Sequence, residues 1–386
     1  MTAVDVGPDV AAQVVQVGDV RQRFSQFREG QAGKVLAISV IGDSYSAGQD
    51  FYLNKLVQRL AQERGFAGPG YVGFNHGAAL GGTQYKYTRS SDKYFGGDWD
   101  VSKLGQASPD SRTVTGHPGA YLQVDASPSK AIDTSVTQAK LLYLGDGQTN
   151  EMRYRWAASS PWQTLAASGS GVQEFSLSGL PTGPDWSLRL EVLKGAPTLF
   201  GLWMSNDRGG VRVSKLAASG AASKDFYHSD PAWQAQWKAV VSAIPADVYL
   251  IMLGGNDQGF GVKPEQYLQN IQGLVGMVRA IHPKASINLV LRQDTTRSSA
   301  YPMSAYAQVL EPWARAEHLG YANMQCAFGA DFKRYAGGGP TPMIGPDKIH
   351  PIPASGGRLI ADYMHRLIVG DHSKVSPQDT CGAALP

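Results

Sequence analysis

Five residues whose types suit acyl-transfer chemistry stand in order along the chain: Ser44, Gly220, Asn256, Asp347 and His350. A serine hydroxyl attacks a carbonyl poorly until a neighbouring base takes its proton. Histidine is the side chain suited to that task near neutral pH. Asp347 stands three residues before His350. One loop can therefore carry both, and the carboxylate can hold the imidazole's tautomer and direction. The backbone N–H groups of Ser44 and Gly220 and the side-chain amide of Asn256 are donors able to meet a developing oxyanion. Glycine at 220 lets the backbone approach a substrate closely. Each residue also has a plainer role open to it: Ser44 as a helix cap, Asn256 as a turn residue in Gly254-Gly255-Asn256-Asp257, His350 as a loop histidine. Asp43 and Asp257 are expected to be structural neighbours.

The elements that must position these residues follow from the apolar runs. Val35–Ile41 reads as a buried parallel strand that breaks at Gly42 and delivers Asp43-Ser44 at its carboxyl end. A helix from about Asp50 to Arg64 follows, with Leu53, Leu56, Val57 and Leu60 as its apolar stripe and Gly65 past its end. The next parallel strand, Val211–Leu216, comes only after residues 66–210, most of which read as an insertion. Asp230-Pro231 starts a helix with a buried face of Trp233, Trp237, Val240 and Ile244. Strand Asp247–Leu253, a helix opened by Pro264, strand Ile287–Leu291, a helix over Met303–Glu317, strand Tyr321–Gln325 and a last helix over Ala354–Ile368 complete an alternating pattern. It predicts a doubly wound five-stranded parallel sheet. Ligands bind such sheets beyond the carboxyl ends of the strands, where the five residues fall.

The insertion reads as all-β. Met152–Trp156 and Leu188–Val192 alternate with period two, and Tyr121–Val124, Lys140–Leu144, Gln173–Leu177 and Thr198–Met204 are further strands between turn clusters. Short, evenly spaced strands of this kind predict a β-sandwich.

Composition narrows the class of protein. The chain has 386 residues, 42% of them hydrophobic and 17% charged, so it is globular and long enough for two domains. A net charge of +3 argues against nucleic acid as the main partner. No apolar run is long enough to span a membrane. Val10, Val17, Val20, Phe24 and Phe27 have roughly heptad spacing, which suggests a helix packed on its own domain or an oligomerisation arm. No secretory pattern is seen at the start, which leaves a cytoplasmic chain, a virion-associated one, one exported by another route, or one already trimmed. Cys326 and Cys381 lack metal-ligand spacing, and a disulfide between them stays open. No metal motif appears, and no cofactor is expected.

The ordered set Gly42-Asp43-Ser44, Gly220, Gly254-Gly255-Asn256-Asp257 and Asp347-Lys348-Ile349-His350 resembles the four sequence blocks of the SGNH (GDSL-type) hydrolases. Tyr45 occupies the position after the serine where many members carry leucine. The resemblance implies a flavodoxin-like α/β fold, with Ser44 as nucleophile, His350 as base, Asp347 as its orienter, and an oxyanion hole from Ser44, Gly220 and Asn256. It divides the chain into an arm (1–33), a discontinuous hydrolase domain (34–75 and 208–372), an inserted carbohydrate-binding-module-like β-sandwich (76–207) and a tail (373–386). An insertion between blocks one and two is similar to that of SGNH enzymes acting on bacterial cell-wall glycans. The insertion is also rich in aromatics that could stack on sugars or fill its core: Tyr85, Tyr87, Tyr94, Trp99, Tyr121, Trp156, Trp162 and Trp186. The expected function is removal of acetyl or other small acyl groups from a polysaccharide or peptidoglycan. The alternatives are a phage-tail or surface component that binds and trims glycan, and a lipase or thioesterase.

Overall fold

The computed structural model describes residues 34–48, 50–74, 85–90, 98–130, 132–295, 300–329 and 332–369. The arm 1–33, the tail 373–386, Tyr94 and the two cysteine side chains lie outside the described parts.

Five parallel strands form one sheet in the order Gly210–Ala217, Val35–Gly42, Val248–Met252, Ser286–Leu291, Gly320–Asn323. In chain order this is 2-1-3-4-5, the flavodoxin-like arrangement, whose switch point lies between the first and third strands. Val35–Gly42 is buried along nearly its whole length, as a run that is apolar apart from Ser39 requires. Leu36, Ile38 and Val40 pack with the helices Leu53–Arg64 and Arg358–Val369. Ile41, Tyr249, Ile251 and Leu253 pack on the other face with helices Pro231–Ser242, Pro264–Ile281 and Met303–Ala316. Apolar strands covered on both faces make this a doubly wound α/β sheet.

Several element ends differ from expectation; the last helix, for one, runs Arg358–Val369 after a separate turn at Pro353–Gly357. The first long helix begins at Leu53, because Asp50–Tyr52 form a turn in which Asn54 donates to Asp50. The fifth strand ends at Asn323, whose side chain accepts from the N–H of Gln325 and starts a short helix there.

The residues between the first two parallel strands form two antiparallel sheets. One runs Ser170–Ser176, Gln138–Asp146, Thr198–Ser205, Val114–Gly116, Trp99–Val101; the other runs Tyr85–Arg89, Tyr121–Ala126, Trp186–Lys194, Asn150–Arg155, Gln163–Ala167. Burial alternates along Tyr121–Ala126, Asn150–Arg155 and Trp186–Lys194, so one face of that sheet is inward. Leu122, Val124, Met152 and Leu188 of one sheet share a buried cluster with Leu141, Leu199, Leu202 and Met204 of the other. Most described aromatics of this region fill that core: Tyr85, Trp99, Trp156 and Trp186 are all buried. Trp162 is half-buried and flanked by the guanidinium groups of Arg153 and Arg155 at 4.2 and 4.4 Å.

The strand Gly70–Gly73 falls within the segment expected for the hydrolase domain, yet it pairs antiparallel with Thr198–Ser205. The N–H of Tyr71 in that strand donates to Ser214 Oγ of the parallel sheet, 3.0 Å away. A division of the chain at residue 75 therefore cuts through one sheet.

Candidate active site

The carboxyl edge of the parallel sheet gathers all five residues. The strand Val35–Gly42 ends in a short helical turn, Ser44–Ala47, capped by Asp43, whose Oδ1 accepts from the N–H of Tyr45 at 3.0 Å. Ser44 is thereby held at the mouth of the sheet next to the switch point. Its Oγ lies 2.8 Å from His350 Nε2. His350 Nδ1 lies 2.6 Å from Asp347 Oδ2. With the proton on Nδ1, the imidazole donates to Asp347 and accepts from Ser44, as a general base must.

The Asp347–His350 turn holds itself in shape. Asp347 Oδ1 accepts from the N–H groups of Ile349 and His350, both at 3.0 Å, and Lys348 takes a left-handed backbone, φ 59°. Burial would raise the Asp347 carboxyl, but the N–H of Ile349, the His350 ring and the N–H of His350 outweigh it and hold it below its ordinary range. Phe51 stacks on the His350 ring, with centroids 5.1 Å apart and planes 13° from parallel.

The other two blocks meet across the switch point. Gly220 has φ 83°, a region that favours glycine, in the loop after Gly210–Ala217. Asn256, buried, begins the turn after Val248–Met252, and its Nδ2 donates to Ala221 O at 2.9 Å. Asp257 joins the same two loops, because both its carboxylate oxygens accept from Ser223 N–H and Oδ1 also accepts from Ser223 Oγ. Burial pushes its pKa up to about 6. Asp43 and Asp257 thus fill the structural places expected of them: one caps the serine's turn, the other ties the loops of Gly220 and Asn256 together.

Sequence reasoning missed the layer beneath the serine. Arg292 and Gln293 follow the strand Ser286–Leu291, and both are buried. An Arg292 Nη1 ion pair with Asp43 lies wholly inside the protein. Burial works against the guanidinium's charge, but Asp43 outweighs it and holds the group above its ordinary pKa. Gly255 is forced by the same arginine: a Cβ there would sit 2.2 Å from Arg292 Nη1. The signal was available, since Arg292 stands at the same strand edge that singled out Ser44.

A second buried pair of charged types sits under the Ser44–Ala47 turn. Lys215 Nζ donates to Ala47 O at 3.3 Å, and burial pushes its pKa down to about 8, against the pull of Asp110. Asp110 accepts from the Tyr71 hydroxyl and from Ser108 Oγ, and its pKa is pushed up to about 7 by burial. Among the described residues no cluster of His, Cys, Asp and Glu could hold a metal ion, and no helix is long and apolar enough to cross a membrane.

A family model described as "GDSL-like Lipase/Acylhydrolase family" matches residues 195–355. The match thus covers Gly220, Asn256, Asp347 and His350, while Ser44 lies ahead of the insertion. Among solved structures, "Peptidoglycan O-acetylesterase in action, 5 min" is similar over 92% of this chain and 97% of that chain, with TM-score 0.67 and 17% identity. A family two carbohydrate esterase from Cellvibrio japonicus matches over 74% of this chain and 98% of that one, at TM-score 0.29 and 12% identity. TesA matches over 41% and 79%, at TM-score 0.31 and 24% identity. No curated sequence matches significantly. Sheet order and the match over residues 195–355 together make the chain similar to the SGNH hydrolases. The family matched is one of GDSL-like lipases and acylhydrolases, and the fold is that of the peptidoglycan O-acetylesterase structure.

Proposed function

We propose that this protein is a serine O-acetylesterase that removes acetyl and other small acyl groups from a polysaccharide or peptidoglycan. The observation that carries the reading is the hydrogen-bonded line from Ser44 Oγ through His350 to Asp347 at the edge of the sheet. In this mechanism Ser44 Oγ attacks the ester carbonyl carbon while His350 Nε2 takes its proton. The tetrahedral oxyanion is met by the N–H of Ser44, the N–H of Gly220 and the Asn256 amide. His350 then gives its proton to the departing sugar oxygen, leaving an acyl group on Ser44. Water, deprotonated by the same imidazole, releases the acid and restores the serine. Asp347 keeps its charge throughout and stabilises the imidazolium.

Two features support a glycan substrate. The hydrolase domain, 34–75 with 208–372, is interrupted by residues 76–207, which we take as an inserted β-sandwich of the carbohydrate-binding-module kind. The overall fold also resembles a protein described as a peptidoglycan O-acetylesterase over nearly its whole length. The buried aromatics of the insertion add nothing to that case.

The test is acetate release from a panel of acetylated glycans and from p-nitrophenyl acetate, with Ser44→Ala alongside. Loss of both activities in the variant is the expected result, and hydrolysis that survives it would remove Ser44 from its role. A series of p-nitrophenyl esters from acetate to palmitate separates this reading from a lipase or thioesterase, which would prefer the long chains.

A further inference from the structure

We infer that Tyr45 is a positioning residue for ester hydrolysis, coupling the nucleophile's turn to the loop that carries His350 and Asp347. The inference rests on the roles proposed for Ser44, His350 and Asp347. Tyr45 directly follows Ser44 and is completely buried. Its hydroxyl donates to the carbonyl oxygen of Ile349, the residue immediately before His350, at 2.5 Å. The same hydroxyl accepts from Gln293 Nε2 at 2.7 Å. One donor and one acceptor fix the hydroxyl in a single orientation.

The ring is fixed as firmly as its hydroxyl. The Arg292 guanidinium lies over its face, 3.4 Å from the ring centroid, and is itself paired with Asp43. The backbone N–H of Tyr45 donates to Asp43. Asp43, Tyr45, Arg292 and Gln293 therefore make one buried unit that begins beside the nucleophile and ends on the backbone of the base's loop. Burial raises the phenol above its ordinary pKa, so it stays a donor across the working range.

The base's loop needs such an anchor, because packing does not bury it. The side chains of His350 and Asp347 are 30% and 49% exposed. Hydrogen bonds within the turn set its internal shape but not its place relative to Ser44. Phe51 and the Tyr45 ring, at 5.1 and 6.1 Å between centroids, bear on the His350 ring rather than on the turn's backbone. The Tyr45–Ile349 bond joins the turn's backbone to the residue next to Ser44. A displacement of about 1 Å between reacting groups can cost about 10²-fold in rate. Leucine at position 45 could fill part of the ring's space but could not make this bond.

Tyr45→Phe keeps the ring and removes the tie. On p-nitrophenyl acetate we expect kcat to fall about tenfold, as the loss of one hydrogen bond to a positioned group allows. KM should stay within about twofold, because the substrate does not touch the hydroxyl. The rate of Ser44 labelling by a fluorophosphonate, measured per folded molecule, should fall in parallel. A merely structural hydroxyl would lower the melting temperature and the labelled fraction, leaving kcat per labelled serine unchanged, and that result overturns the inference. Should Tyr45→Phe fail to fold, Gln293→Met decides. It frees the hydroxyl's orientation without touching the ring, so a kcat lowered about threefold at unchanged KM supports the coupling and wild-type kcat refutes it. Ser44→Ala, run in the same assay, separates the two levels. If that variant is dead while Tyr45→Phe matches wild type, the coupling alone is wrong; if it stays active, the proposed triad is wrong and the coupling falls with it.

Discussion

Replacing Arg292 by methionine tests whether the ion pair beneath the serine holds the site in place. Both partners are buried, with side-chain exposures of 2% and 0%. Methionine fills much of the stem's volume, so the main effect is to leave Asp43 charged and unpartnered in the interior. Breaking a buried pair from one side costs about 3–5 kcal/mol. With an unfolding entropy of about 2.1 cal/mol/K per residue over 386 residues, that corresponds to a melting temperature lower by about 4–6 °C for a single transition. The pair itself is far from ideal, since among the described residues Arg292 Nε and Nη2 have no hydrogen-bond acceptor. Removing both charges should therefore cost much less than removing one. The double variant Asp43→Asn/Arg292→Met is expected to recover more than half of the loss, because asparagine can still cap the Tyr45 N–H. Scanning calorimetry of the wild type, both single variants and the double closes the cycle. An Arg292→Met melting temperature within about 1 °C of wild type, or a double variant that loses the sum of the singles, would refute the reasoning.

Further outcomes follow from the same geometry. Asn256→Ala should lower kcat on p-nitrophenyl acetate by about 10²–10³-fold with little change in KM, since it removes one oxyanion donor; a loss confined to KM would move Asn256 out of that role. Ser44→Ala should lower kcat by at least about 10⁴-fold, while circular dichroism shows the fold intact. Stability should fall as pH rises from about 4 to about 7, because Asp257 and Asp110 have folded pKa values of about 6 and about 7, above the unfolded value of about 3.9. A raised pKa means the folded state takes up the proton, so this contribution is full below the unfolded pKa and is lost as pH passes through 6 and 7. Lys215, lowered to about 8, contributes in the opposite sense only above that pH. Asp110→Asn should flatten the slope of melting temperature against pH, and an unchanged slope would show that Asp110 is already ionised in the fold.

The parallel sheet was legible because its strands are dominated by buried apolar residues, and Val35–Gly42 has Ser39 alone as a polar interruption. The antiparallel strands were legible where one face is wet: Tyr121–Ala126 and Trp186–Lys194 alternate in sequence because they alternate in burial. Gly70–Gly73 carried neither signal. It has only four residues, two of them glycine, all buried against partners distant in sequence. The chemistry-bearing residues could be picked out because each stands at a strand end or before the last helix. Of their support, only Arg292's place at a strand end was legible; its pairing is non-local, since Asp43 and Arg292 are 249 residues apart and Tyr45 and Ile349 are 304 apart. Composition gives no hint that these particular residues meet. The aromatics of the insertion left a sugar surface and a core both open, since a sheet core and a stacking platform draw on the same residues; burial of Tyr85, Trp99, Trp156 and Trp186 assigns those four to the core.

The insertion is built into the hydrolase rather than hung from it, which bears on how the serine is held. After the helix Leu53–Arg64 the chain pairs Phe66 with Val211 at the edge of the parallel sheet, then lays Gly70–Gly73 on Thr198–Ser205. Thr198–Ser205 is buried on both faces for most of its length, unlike the alternating strands farther out. Asp110, in a loop of the inserted segment, takes the Tyr71 hydroxyl and faces Lys215, whose ammonium holds the carbonyl of Ala47 at the end of the serine's own turn. A polar path thus runs from the insertion to the residue three places after Ser44. On the opposite side Arg292 grips Asp43, the residue immediately before it. The turn that carries Ser44 is fixed from both ends by buried charged residues, Arg292 with Asp43 on one side and Lys215 with Asp110 on the other. Cutting the insertion away would leave Lys215 buried without its acidic neighbour, so the cost should appear at Ser44 as well as in the β region.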